Sequence, residues 1–425
     1  MSLSWRVWLK RSIQIIFYGL IFLFALGPAT MQFTEPKEKI RAYTRMEEFD
    51  YVTWTIDALA VKLGRATLRT HEYLDLENQQ QIVLEYIDLI GAIKTTEEEL
   101  SQIYADPEIT DPESAAAPIR EKLAPFYTQR DELGPLAESI LQDMLSAMAT
   151  EMGFTMGGQP IPPPMYHNTP LPWALIVSPR GEIRQEANIS LETRLTVEDH
   201  IRIEDQISED MDYSTLVVRI GGVGTYPTMV AETTNLNWLM EVISHEWTHN
   251  YLTLRPLGVR YDQTPELRTI NETTANIVGK EIGAEMILTY FPEFAPPSPA
   301  PPTDTDVEPD TQLSPEPPRF DFRAEMHKTR IRVDELLAQG MFEKAEKYME
   351  FRRQIFWENG YQIRKLNQAY FAFHGAYADA PVSSAGEDPV GAAVRQLRAE
   401  SNSLIEFVRV ISKVKSYEDL LQLVE

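Results

Sequence analysis

Cysteine is absent from all 425 residues. Its absence excludes disulfides, thiolate metal ligands and a cysteine nucleophile, and also the lipid-bearing cysteine of a bacterial lipoprotein. Any metal must therefore be held by histidines and carboxylates. Basic residues are few: 39 Lys and Arg stand against 64 Asp and Glu, a formal charge of −25 that argues against nucleic acid or an anionic lipid surface as a partner. Histidine is rarer still, with seven in the chain, and His245 and His249 fall within one pentapeptide.

That pentapeptide, His245-Glu246-Trp247-Thr248-His249, has the H-E-x-x-H spacing. From Asn235 to Leu252 the apolar residues recur at helical spacing with no Gly or Pro, so the stretch is expected to be a helix, capped by Thr233, Thr234 or Asn235. On a helix the i and i+4 imidazoles share a face, with the Glu246 carboxylate beside them. A chance match on an ordinary amphipathic helix is the plain alternative. Two histidines leave a catalytic zinc one protein ligand short, because such sites take three and keep a fourth position open. Downstream, Arg268 to Gly279 reads as the start of a second helix with Glu272 and Asn276 one turn apart, and Glu272 is the best candidate for the missing ligand. Glu281 and Asp262 are the alternatives.

These motifs resemble the gluzincin metallopeptidases, in which a Glu on the helix after H-E-x-x-H completes the zinc site. The resemblance implies His245, His249 and Glu272 as metal ligands and Glu246 as the general base. It also places Asn276 where an acidic residue often hydrogen-bonds a ligating His, a second-shell position. A looser similarity to a bacterial family of aminopeptidases extends through Leu366 to Tyr370 and Gly375 to Tyr377. It implies Tyr377 as an oxyanion donor, with His374, Tyr370 and Tyr261 as alternatives. His71, His167, His200 and His327 have no paired carboxylates at ligand spacing, and surface or capping roles suffice for them.

Near the N-terminus, Arg6, Lys10 and Arg11 precede the apolar run Ser12 to Ala29. An uncleaved anchor is the preferred reading, and a cleavable signal ending near Gly27 to Ala29 the alternative. The basic tip would stay cytoplasmic. The expected localisation is thus single-pass membrane with an extracytoplasmic catalytic domain, or secreted if the run is removed.

The expected fold is α+β and predominantly helical: a small β-sheet preceding a zincin active-site helix pair, with an N-terminal transmembrane helix and helical flanking regions. Expected boundaries are 1–30 for the anchor, 31–156 for a helical region, 157–294 for the catalytic core, 295–319 for a Pro- and acid-rich disordered insertion, and 320–425 for helices walling the active site. Stripes at Ile82 to Ile93 and Leu133 to Met148 predict packed antiparallel helices, and the series Met144, Met148, Met152, Met156 predicts core filling rather than a metal or partner groove. Strands are expected at Trp173 to Val177, Ile189 to Val197 and Thr215 to Ile220. Gly221 to Val230 reads either as an edge strand or as a plain loop; the absence of a following helix and lysine rules out a phosphate loop. Helices are expected over 361–377 and 392–414.

The sequence as a whole leads to the expectation of a membrane-anchored zinc metallopeptidase acting on a peptide or protein substrate, with Zn2+ as cofactor, no nucleic acid partner and an undetermined oligomeric state. The rivals are a non-peptidase zinc hydrolase and a non-catalytic helical envelope protein.

Overall fold

The computed structural model describes residues 36–66, 73–105, 109–296, 320–374 and 389–424. The chain divides into two compact units, Met1–Arg45 and Met46–Glu425. In the first, the described residues carry helix α1 (Pro36–Thr44).

The second unit is α+β and predominantly helical. It opens with helices α2 (Tyr51–Ala66), α3 (Leu76–Ala105) and α4 (Pro112–Glu151). The two apolar stripes expected there pack α3 against α4. Met144 and Met148 are buried and Met152 packs on the same core, whereas Met156 is exposed, so the methionine series is core filling along most of its length. Strands β1 (Tyr166–Asn168), β2 (Trp173–Pro179) and β3 (Ala187–Leu191) follow, then helix α5 (Val197–Met211) and strands β4 (Tyr213–Val218), β5 (Gly222–Val223) and β6 (Thr228–Val230). They form two three-stranded sheets, β3-β2-β4 and β1-β6-β5, rather than one. The first is antiparallel, with Leu175 opposite both Ile189 and Val217. In the second, β5 is the edge strand and pairs antiparallel with β6, Gly222 opposite Val230. Both readings of Gly221 to Val230 hold in part: Gly222–Val223 form a short edge strand, residues 224–227 a loop, and Thr228–Val230 the middle strand of the sheet.

Helix α6 (Leu236–Thr253) is the motif helix, and the Asn235 side chain accepts from Trp238 N to cap it. A single turn, α7 (Pro256–Val259), leads into α8 (Pro265–Tyr290), which is capped by Thr264 and packs along α6. After it come α9 (Phe322–Ala338), α10 (Phe342–Glu358), α11 (Gln368–His374), α12 (Pro389–Glu400), α13 (Leu404–Ile411) and α14 (Tyr417–Val424). The larger core joins α3, α4, α6, α8, α12 and α13, so segments far apart in sequence share one interior. The smaller one lies between α9, α10 and α11 and the sheet face carrying Ala174, Ile176 and Leu216.

Several expectations are corrected. Among the described residues no helix is long and apolar enough to cross a membrane, which overturns the single-pass membrane reading. Ser12 to Ala29, on which it rested, lies outside the described residues, as does 297–319 of the proposed insertion. The strand expected at Ile189 to Val197 ends at Leu191, and Thr196 begins α5 through a reciprocal capping box with Asp199. The helix expected from 361 begins only at Gln368, and the one expected over 392–414 is interrupted before Ser403, which caps α13. His200 is buried rather than on the surface, and His167 is half-buried. His167 Nδ1 lies 3.0 Å from buried Glu138, which also pairs with Lys62, and His200 packs edge-on to Trp173.

Candidate metal centre

Helical spacing puts His245 and His249 on one face of α6, and their Nε2 atoms lie 3.0 Å apart. Two imidazole nitrogens so close must share a proton or a common cation. Glu272 on α8 brings Oε2 to 3.6 Å from His245 Nε2 and 3.5 Å from His249 Nε2. This oxygen is buried and has no hydrogen-bond partner. His245, Glu246 and His249 offer ligand atoms within 4.8 Å of one another and could hold a metal ion. Glu272 is not one of these three, but its unpartnered Oε2 faces both imidazoles. In a helix, Glu246 sits one residue past His245 and its carboxylate lies to the side.

Neighbouring side chains hold these groups. The Nδ1–H of His249 donates to Asn271 Oδ1 at 2.8 Å, which leaves its Nε2 lone pair for the centre. Tyr261 donates its hydroxyl to Glu272 Oε1 and accepts from Arg268 Nε at 3.2 Å, so one carboxylate oxygen is anchored while the other faces the imidazoles. The electrostatics point the same way. Burial pulls the His249 pKa down, but the Glu272 charge and hydrogen bond, joined by the Glu246 charge and the Asn271 hydrogen bond, together outweigh it and raise the value to about 9. Burial pushes Glu272 up, yet His249 and His245 hold it well below the usual carboxylate range. The site prefers a positive charge among these groups. Glu246 is raised, because burial outweighs the attraction of the two histidines.

The centre opens into a cleft of about 880 Å3. Edge strand β5 forms one wall, and Gly222 is required there: an added Cβ would lie 2.6 Å from Glu246 Cγ. Tyr51, Phe373 and His374 line the cleft as well. The Tyr51 hydroxyl donates to Ser190 Oγ at 2.7 Å, and its pKa is raised by burial, with the charge of Glu246 adding to the rise. Burial lowers His374 to about 4 and raises Tyr370 to about 12.

The structure thus brings His245, Glu246, His249 and Glu272 together. Asn276 lines the cleft but makes no hydrogen bond to either histidine; Asn271 fills that place at His249. Tyr377 lies outside the described residues. Tyr261 is engaged with Glu272, and Glu281 is paired with Arg398 at 2.7 Å. Asn271 could have been suspected from its place beside Glu272, whereas nothing in the sequence singled out Tyr51. No family model, curated protein or solved structure matches the chain.

Proposed function

We propose that the chain is a zinc-dependent metallopeptidase of the gluzincin type, with α6 and α8 as the zincin helix pair. The observation that carries this reading is the convergence of His245 Nε2, His249 Nε2 and the unpartnered Glu272 Oε2, separated by 3.0, 3.5 and 3.6 Å. Tetrahedral zinc with bonds of roughly 2.0–2.2 Å spaces its ligand atoms by roughly 3.3–3.6 Å, and a His, His, Glu set with an open fourth position is a catalytic donor set. His245, His249 and Glu272 would hold the ion, and when bound it supplies Lewis acidity toward water and a carbonyl oxygen.

The remaining chemistry belongs to the chain. Glu246 accepts a proton from the attacking water and passes it to the leaving amine, a role suited by a carboxylate whose burial raises its pKa. Gly222 leaves room for Glu246 beneath β5, and Asn271 and Tyr261 keep the ligands oriented. Tyr51 and His374 stand at the cleft walls, where a hydroxyl or neutral imidazole can meet a substrate carbonyl.

Metal analysis and peptide digestion of the full chain test the proposal together. One zinc per chain is expected, with loss of the metal in His245→Ala and Glu272→Ala. Glu246→Gln should keep the zinc and slow hydrolysis by roughly a hundredfold or more, the scale of a lost general base. Zinc retained by Glu272→Ala, or undiminished hydrolysis by Glu246→Gln, would overturn the assignment.

A further inference from the structure

Glu241 stands one turn before His245 on α6 and lines the same cleft. Among the described residues no hydrogen bond or ion pair engages its carboxylate. Its backbone is closely packed: at Gly283 of α8 an added Cβ would come within 2.8 Å of Glu241 N. Position without partner is the notable combination, because a carboxylate at a cleft wall that no cation of the chain already pairs is free to pair with an incoming one.

Asn276 on α8 supplies a second, independent observation. It is 9% exposed, lines the cleft, and its Nδ2 has no hydrogen-bond partner. Such a donor costs free energy unless a ligand satisfies it. The helices are antiparallel, so residues before His245 and residues after Glu272 fall at the same end of the ligand set. Gly279 shows this, since a Cβ there would meet both Glu241 O at 2.8 Å and His245 Cβ at 2.9 Å. The guanidinium of Arg219, another lining residue, stacks over the Trp173 ring at 4.9 Å from its centroid. The lining thus carries the carboxylates of Glu241, Glu246 and Glu272 together with the Arg219 cation.

We propose that Glu241 and Asn276 form a subsite for a cationic group of the substrate, Glu241 pairing with an ammonium or guanidinium and Asn276 donating to the peptide carbonyl beside it. The proposal rests on reading the cleft as that of a peptidase, and it narrows the substrate class to cationic peptides. The cation is either a free α-amine or a basic side chain.

Matched fluorogenic peptides, with lysine or norleucine next to the scissile bond and with free or acetylated N-termini, separate these sources when digested by the full chain. The preferred cationic peptide should exceed its neutral partner in kcat/KM by roughly tenfold or more, the scale of a hydrogen-bonded charge. Glu241→Gln should bring that ratio close to one, mainly through KM, with zinc content unchanged; Glu241→Lys should invert it. Calorimetric binding of n-hexylammonium to the chelator-treated chain, weakened by Glu241→Gln, gives a readout independent of turnover. A hydrolysing wild-type chain with no charge preference, or a preference that survives Glu241→Gln, would overturn the subsite. If no peptide is cleaved, the peptidase reading fails while Glu241-dependent hexylammonium binding still supports the subsite, and binding indifferent to Glu241 sinks it.

Discussion

At the scale of single residues, the candidate ligands are only as good as the groups that hold them. Asn271 fixes the tautomer of His249, and Tyr261 ties down the far oxygen of Glu272. Outer partners of this kind are worth roughly 10- to 100-fold in metal affinity. Asn271→Ala should therefore weaken zinc binding by about that factor in a chelator competition, while Asn271→Asp, which restores an acceptor, should recover most of it. The misplaced expectation here has a clear cause. A same-face argument along one helix selects Asn276, one turn after Glu272, but reach to an imidazole on another helix depends on where the helices cross. At the crossing Asn271 faces His249.

At the scale of elements, the crossing of α6 and α8 is set by glycine. Gly279 and Gly283 let the backbones approach so closely that a Cβ at either position would lie within 2.8 Å of the Glu241 backbone. Those contacts are to main chain, which cannot swing aside as a side-chain tip can. Gly279→Ala should force the helices apart, lowering stability by about 1–3 kcal/mol as overpacking does. It should also draw Glu272 away from the histidines, so thermal melting and zinc affinity should fall together. Zinc affinity unchanged alongside a lower Tm would separate the packing from the site. Local signals along the chain vary in strength for related reasons. The H-E-x-x-H helix was legible because its period and its Asn235 cap lie within a few residues of one another. The α5 helix was legible in principle through Thr196 and Asp199, yet its Val and Ile residues also suit a strand, and the paired cap decides.

At the scale of the whole molecule, the larger core binds the motif helix to elements at both ends of the second unit. Leu239, Ile243 and Trp247 of α6 share that interior with Ile90 of α3, Leu141 of α4, Val394 of α12 and Phe407 of α13, all fully or nearly fully buried. A truncation before Pro389 would uncover the α8 side of this core and leave large apolar faces in water. It should abolish cooperative thermal unfolding monitored by circular dichroism rather than leave a stable active fragment; a sharp transition in the shortened chain would refute this.

What the sequence determined by itself is local in origin. Cysteine's absence restricts metal ligation to histidines and carboxylates, and the 3.6-residue period places His245 and His249 on one face whatever surrounds them. What only the tertiary structure decided depends on contacts between segments separated along the chain. The aim of Glu272 Oε2, the clearance at Gly222, the choice of Asn271 over Asn276 and the unpaired state of Glu241 follow from helix crossing and strand placement. No periodicity within one segment encodes those, because they are set by packing among elements that each pattern describes separately.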